Sequence, residues 1–165
     1  MMTAQIYACH HSNSAGVHAT PAALFEFLDD LVRLGAHMEK PSMMMMGGSM
    51  TYTFDEAQGR AENSVIRMGG RFLGITLFVE EVVTEHYPPR RKVWETRGKP
   101  RLIVIDAYRM GFEVTPVGEQ SNLRVFIDYD LPPAPVSRIL GRLFAPMYAR
   151  WCVGRMVEDA RRHFQ

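Results

Sequence analysis

In this chain of 165 residues the side chains best suited to chemistry are one aspartate and a few tyrosines. In the run LIVIDAYRMGFEV, alternate positions read Leu102, Val104, Asp106, Tyr108, Met110, Phe112 and Val114. On a strand these share one face, so a lone carboxylate sits among apolar and amphipathic neighbours. If that face looks inward, Asp106 must be hydrogen-bonded, ion-paired or held neutral. Such an acid could orient a ligand hydroxyl or exchange a proton with it, with Tyr108 or Tyr129 as helpers. The alternative is a strand shift or bulge that turns Asp106 to water. In NLRVFIDYD, Leu123, Val125, Ile127 and Tyr129 share a face, opposite Arg124, Asp128 and Asp130. The tyrosines add hydroxyls to an oily surface, which suits a ligand carrying a few oxygens. Tyrosines bonded to backbone look the same in sequence.

Other chemistry is thin. Cys9-His10-His11, with His18 nearby, offers metal-ligand types without a ligating pattern, and no metal is expected. His37 and His86 fall near element ends and could serve as acid or base, although a surface position is the default. Glu80 and Glu81 are strand neighbours and face opposite ways, so they are not a dyad. No GxSxG, GxGxxG, HExxH or Walker pattern occurs. Gly69-Gly70 and Gly74 read as turn and bulge glycines rather than a phosphate cradle. No cofactor is expected.

The stretch EKPSMMMMGGSM is the other unusual feature. It holds five of the chain's 12 methionines. Methionine fills irregular gaps and lines surfaces that accommodate more than one shape. The run reads either as core filler or as the soft wall of a hydrophobic pocket.

The supporting elements follow from length and pattern. One domain over residues 1–165 is expected, large enough to bury a core without staples. A hydrophobic fraction of 47% with 22% charged residues is that of a globular chain. The formal net charge of +1 supplies no global basic field, so no nucleic-acid partner is expected. Cys9 and Cys152 lie far apart and read as reduced thiols, as in a cytoplasmic protein. No signal peptide and no membrane-length apolar run is visible, so stable membrane insertion is not expected.

Residues 6–19 read as strand-like ends around a polar Ser-Asn-Ser centre. Thr20 and Pro21 then mark a helix start. Leu24, Phe25, Leu28, Leu31 and Val32 recur at helical spacing, and Gly35 ends the helix. A short helix at 37–40 is a weaker reading. From SMTYTFD onward the period becomes two, with Met50, Tyr52 and Phe54 on one face. Further strands follow in AENSVIRM, FLGITLFVEEVVTE, RKVWETR, LIVIDAYRMGFEVTP and NLRVFIDYDLP, an antiparallel meander. After Pro132-Pro133 the chain is helical. Val136, Leu140, Leu143, Phe144, Met147 and Trp151 form one apolar stripe. Ala149, Val153, Met156, Val157, Ala160 and Phe164 form another. The two point in different directions, so a helix bent at Pro146 and packing through both faces is expected.

Together GVHATPAALFEFLDD, VEEVVTEHYPPRRKVWE and LRVFIDYDLP leading to LGRLFAPMYARWCVGRMVEDARRHF resemble the START-like helix-grip superfamily, which includes the birch-pollen allergens. Within it the chain is most similar to the bacterial polyketide cyclase/dehydrase and lipid-transport proteins. The resemblance implies an α+β helix-grip fold: a curved antiparallel sheet of about seven strands around a long C-terminal helix, with an apolar cavity between them. On that fold the ligand site would draw on Met50, Tyr52, Phe54, Asp106, Tyr108, Met110, Phe112, Val125, Ile127 and Tyr129, with Phe144 and Tyr148 from the last helix. The expected partner is a hydrophobic small molecule: a lipid, an isoprenoid or a polyketide-like compound. A cyclase/dehydratase activity is the alternative. A third reading is a protein-interaction module using Met147, Tyr148 and Trp151, and a homodimer is compatible with the sequence.

Overall fold

Alternating apolar and polar side chains shape most of the molecule into strands, and their turns are short enough to keep neighbours in sequence adjacent in space. In the computed structural model, which describes residues 4–33 and 49–165, the strands are β1 (Cys9–Val17), β2 (Ser49–Phe54), β3 (Val65–Phe72), β4 (Ile75–Tyr87), β5 (Arg91–Arg101), β6 (Tyr108–Val117) and β7 (Gln120–Tyr129). They form one seven-stranded antiparallel sheet in the order β1-β7-β6-β5-β4-β3-β2. The meander from β2 to β7 is thus closed by β1 at its far edge. Among the described residues it is accompanied by the helices α1 (Pro21–Asp29) and α2 (Pro135–His163). Helix α2 packs chiefly on β1 and β7.

Strand registers put one parity of every strand on the face towards the helices. There β2 contributes Met50, β3 Ile66 and Met68, and β4 Leu77, Val79 and Val83. Trp94 of β5, Phe112 and Val114 of β6 and Leu123 and Val125 of β7 continue the same apolar face. Leu24, Phe25 and Leu28 of α1 pack on one end of it, Phe25 meeting Phe112 with ring centroids 5.3 Å apart. This is the sheet-around-helix arrangement that the resemblance implies.

Several element boundaries differ from the sequence reading, each for a local reason. Strand β1 runs unbroken through Ser12-Asn13-Ser14, because as an edge strand it pairs with β7 on one side only and can turn polar side chains outward. Helix α1 starts where expected, with the Thr20 hydroxyl accepting from Ala23 N. It stops at Asp29, short of Gly35, because Asp30 leaves helical geometry and its carboxylate accepts from Arg33 N, capping the next helical turn at 31–33. Gly69 and Gly70 lie inside β3. The turn is instead Leu73-Gly74, both at positive φ, the backbone that a two-residue hairpin loop demands. Strand β5 continues past Gly98 and Pro100 to Arg101.

Strand β6 begins at Tyr108, not at Leu102. The apolar residues 102–105 do not line a strand face. They pack into the core as a connecting segment, and Val104 O lies where a Cβ on Gly141 of α2 would come within 2.7 Å. Helix α2 runs as a single helix through Pro146, as expected, but only one of its two stripes is buried. Gly141, Ala145, Ala149, Val153, Val157 and Ala160 are buried against the rest of the molecule, while Val136, Leu143 and Met147 are exposed. Small side chains let the helix approach closely and push the large ones to the opposite side. The proposed helix at 37–40 and the methionines at 43–46 lie outside the described residues.

Candidate ligand-binding site

One carboxyl group is buried on the helix-facing side of the sheet. Glu81 belongs to the apolar parity of β4, between Val79 and Val83, and is only 5% exposed. Its neighbour Glu80 faces the other way and pairs with Arg67 (2.8 Å) and Arg97 (3.2 Å). The opposite orientation of the two glutamates is as expected for strand neighbours. Glu81 Oε1 accepts a hydrogen bond from the Tyr108 hydroxyl, which reaches it from β6 across β5. The Tyr108 amide in turn donates to Thr96 Oγ1 on β5 (3.2 Å), fixing the strand that carries the phenol.

Burial pushes the Glu81 carboxyl up to about 7, against the smaller lowering effects of the Tyr108 hydrogen bond and the Lys92 charge. Near neutral pH the group therefore exists in both protonation states. Burial likewise holds the Tyr108 phenol well above its ordinary value, so it stays protonated and donates. Helix α2 brings Tyr148 and Cys152, one turn apart and hydrogen-bonded to each other, to the same region. The Cys152 thiol is pushed by burial to about 12 and is unreactive as a nucleophile at neutral pH. Neighbouring Cys152 and burial hold the Tyr148 phenol well above its ordinary value, and Tyr52 of β2 and Glu81 of β4 act in the same direction. Polar groups from β2, β4, β6 and α2 thus converge inside an otherwise apolar interior.

The residues singled out in the sequence distribute unevenly around this point. Met50, Tyr52, Phe54, Tyr108, Met110, Phe112, Val125, Ile127 and Tyr129 all fall on the helix-facing side of the sheet. Tyr148 joins them from α2, whereas Phe144 is exposed. Asp106 is half-buried in the segment ahead of β6, where its backbone N donates to Asp130 O (2.9 Å). The premise that it shares a strand face with Tyr108 and Met110 does not hold, because the strand starts after it. Sequence spacing excludes a Glu80–Glu81 dyad and by itself gives Glu81 no role. The signal that marks it was present: Leu77, Val79, Glu81 and Val83 are one parity of a strand, interrupted by a single acid.

A second buried charge lies at the α1 end of the same face. Lys92, fully buried on β5, donates to Asp29 Oδ1 at 2.5 Å, and the other oxygen of that carboxylate meets His86 Nε2 at 3.0 Å. Burial lowers the Lys92 amine, and Asp29 opposes that shift. An open depression of about 380 Å³ lies outside this cluster, lined by Ala22, Phe25, Glu26, Asp29, Pro88 and Pro89. Asp29 on its wall is already paired with Lys92 and His86, and Glu26 adds a second carboxylate to the lining.

At the N-terminal motif, His10 faces away from the helices and pairs with Asp128 at 2.5 Å. Among the described residues no group of three or more His, Cys, Asp or Glu side chains could hold a metal ion. Nor, among them, is any helix long and apolar enough to cross a membrane.

A family model described as polyketide cyclase / dehydrase and lipid transport matches residues 8–164. The chain belongs to this family. Solved structures of the same fold include the Zhui aromatase/cyclase of a Streptomyces species, at TM-score 0.67 and 13% identity, covering 95% of this chain and 96% of that one. Norcoclaurine synthase from Thalictrum flavum matches at TM-score 0.62 and 12% identity, covering 93% and 84%. The major latex-like protein 151 of Panax ginseng matches at TM-score 0.55 and 12% identity, covering 93% and 97%. At such identities the likeness shows the helix-grip fold of this cyclase/dehydrase and lipid-transport member, and no more. No curated protein sequence matches the chain.

Proposed function

We propose that the chain binds a hydrophobic small molecule (a lipid, an isoprenoid or a polyketide-like compound) between the sheet and α2, with Glu81 and Tyr108 as its polar anchor. The observation that carries this reading is the position of Glu81: a buried carboxyl on an apolar sheet face, bonded to a phenol rather than to a cation. A neutral acid there can donate to a ligand carbonyl, and its ionised form can accept from a ligand hydroxyl. Met50, Met110 and Ile127 supply apolar wall around it, and the family description supports a ligand of this kind.

The test is a titration of two fluorescent probes, a long-chain alcohol and its hydrocarbon analogue, against wild type, Glu81→Gln and Asp106→Asn. Wild type should prefer the alcohol by up to about tenfold, the worth of one hydrogen bond. Glu81→Gln should remove most of that preference while leaving hydrocarbon binding intact. Should Asp106→Asn remove it and Glu81→Gln not, the anchor is Asp106. If neither probe binds wild type, the ligand-binding reading itself fails.

A cyclase or dehydratase activity is the second reading, favoured by the titration of Glu81 near 7. A carboxyl poised there can take a proton from a carbon beside a carbonyl and return one to a departing hydroxyl. Such an activity would follow a pH profile with an inflection near 7 that Glu81→Gln abolishes.

A further inference from the structure

The first half of α2 is built with its large apolar side chains on the wrong side for a core. Val136 is 72% exposed, Ile139 60%, Leu143 67% and Met147 51%. Their spacing of three and four residues puts them in one stripe along the helix. The reason is on the opposite face, where Gly141, Ala145 and Ala149 make the close contact with the rest of the molecule. A Cβ at Gly141 would lie 2.7 Å from Val104 O, so the helix cannot turn to bury the stripe without losing that approach.

The charges beside this stripe have one sign. From Leu131 to Val157 the sequence contains no aspartate or glutamate. Arg142 and Arg150 are exposed there, and among the described residues neither has a carboxylate partner. Acidic residues return only at Glu158 and Asp159, in the last turns, where they pair with Arg162 (2.8 Å) and Arg155 (3.3 Å). An exposed aliphatic stripe flanked by unpaired arginines is matched by a surface that presents anions and an apolar medium together.

We propose that residues 135–150 of α2 form a docking face for an anionic lipid surface, with Ile139 and Leu143 entering the headgroup–acyl boundary and Arg142 and Arg150 meeting the lipid phosphates. The proposal does not depend on what the interior binds. A bilayer fits better than a protein groove because the stripe is aliphatic and long, and because a bilayer supplies negative charge along the whole of it.

Flotation of the full chain with phosphatidylcholine vesicles, with and without phosphatidylserine, tests this. Wild type should float with the phosphatidylserine vesicles, bind pure phosphatidylcholine at least about tenfold more weakly, and lose binding as salt rises. Ile139→Asp with Leu143→Asp should abolish flotation. Replacing Arg142 and Arg150 by Gln should weaken binding to phosphatidylserine vesicles by about fivefold per arginine and flatten the salt dependence. Circular dichroism checks that the exposed substitutions leave the fold intact, and the arginine variant serves if the aspartate pair does not fold. Equal binding to both vesicle types, no binding to either, or flotation that survives the aspartate pair would overturn the proposal. So would a dimer in solution that the aspartate pair splits while wild type ignores vesicles, which assigns the face to a second copy of the chain.

Discussion

Lys92 and Glu81 sit on adjacent strands, on the same face of the same sheet, and both are buried. Their surroundings differ. Lys92 has a full counter-charge: the Asp29 carboxylate at 2.5 Å, steadied by His86 at 3.0 Å and delivered by the end of α1. Glu81 has a phenol. A buried ion with an ion for a partner ties two elements together, and breaking the tie leaves a charge out of water. A buried acid with only a neutral donor remains protonated over part of the working pH range and keeps capacity for another partner. The first is a structural rivet, and the second is the polar anchor we propose for a ligand.

The convex face offers a third arrangement. There Arg91, Arg109 and Arg124 stand over the Phe126 ring at 5.3–5.8 Å and pair with Glu85, Glu113 and Asp128 in partly solvated geometry. Phe126 itself lies over Gly111, where a Cβ would come within 2.8 Å of the ring. Water reaches these charges, so each pair contributes little on its own.

The largest effect should come from attacking the rivet. Asp29→Asn is expected to lower stability by about 3–5 kcal/mol in chemical denaturation, because the Lys92 amine stays buried without its counter-charge. Adding Lys92→Met should recover most of the loss. If the double variant is no better than the single one, the ion pair is not what makes Asp29 important.

Glu81 should behave in the opposite sense. Its carboxyl titrates at about 7 in the folded chain against 4.5 ordinarily, so between those values the folded state holds a proton that the unfolded state has released. This contribution is complete below about pH 4.5 and is lost as pH rises through about 7. Its full size is on the order of 3 kcal/mol. Glu81→Gln should therefore flatten the stability profile across that window and be relatively more stable at its upper end. A profile unchanged by the substitution would mean that Glu81 is not protonated in the fold.

Tyr108→Phe should cost about 1–3 kcal/mol at low pH, where a buried acid loses its hydrogen-bond partner. It should also move the Glu81 titration further up, since the phenol lowers it. The pH midpoint of the stability change reads this directly. Arg109→Gln on the convex face should change stability by less than about 1 kcal/mol in the same assay. A larger loss would show that the arginine cluster over Phe126 acts as a unit.

Much of this arrangement was legible from parity and spacing. Met50, Tyr52 and Phe54 share a face in the sequence and in the sheet, as do Leu123, Val125, Ile127 and Tyr129. Thr20-Pro21 opens α1, and the divergence of Glu80 and Glu81 follows from the pleat alone. Asp106 shows where parity misleads. Alternation in 102–106 looked like the start of β6, but those side chains belong to a segment that packs beneath α2 at Gly141. Alternation records which residues are apolar, and a packed connection can be as apolar as a strand.

The two stripes of α2 carry the same lesson. Periodicity showed both stripes, yet could not say which one the sheet would cover. Close approach decided it, through Gly141, Ala145 and Ala149, residues that hydrophobicity ranks low. Local physics sufficed for side-chain parity within the strands and for the helix start, because those depend on neighbours along the chain. The Asp29–Lys92 and Tyr108–Glu81 contacts join residues 63 and 27 positions apart, and no short-range pattern encodes such pairs. Which buried charge finds an ion and which finds a phenol was decided only when the sheet curved around its helices.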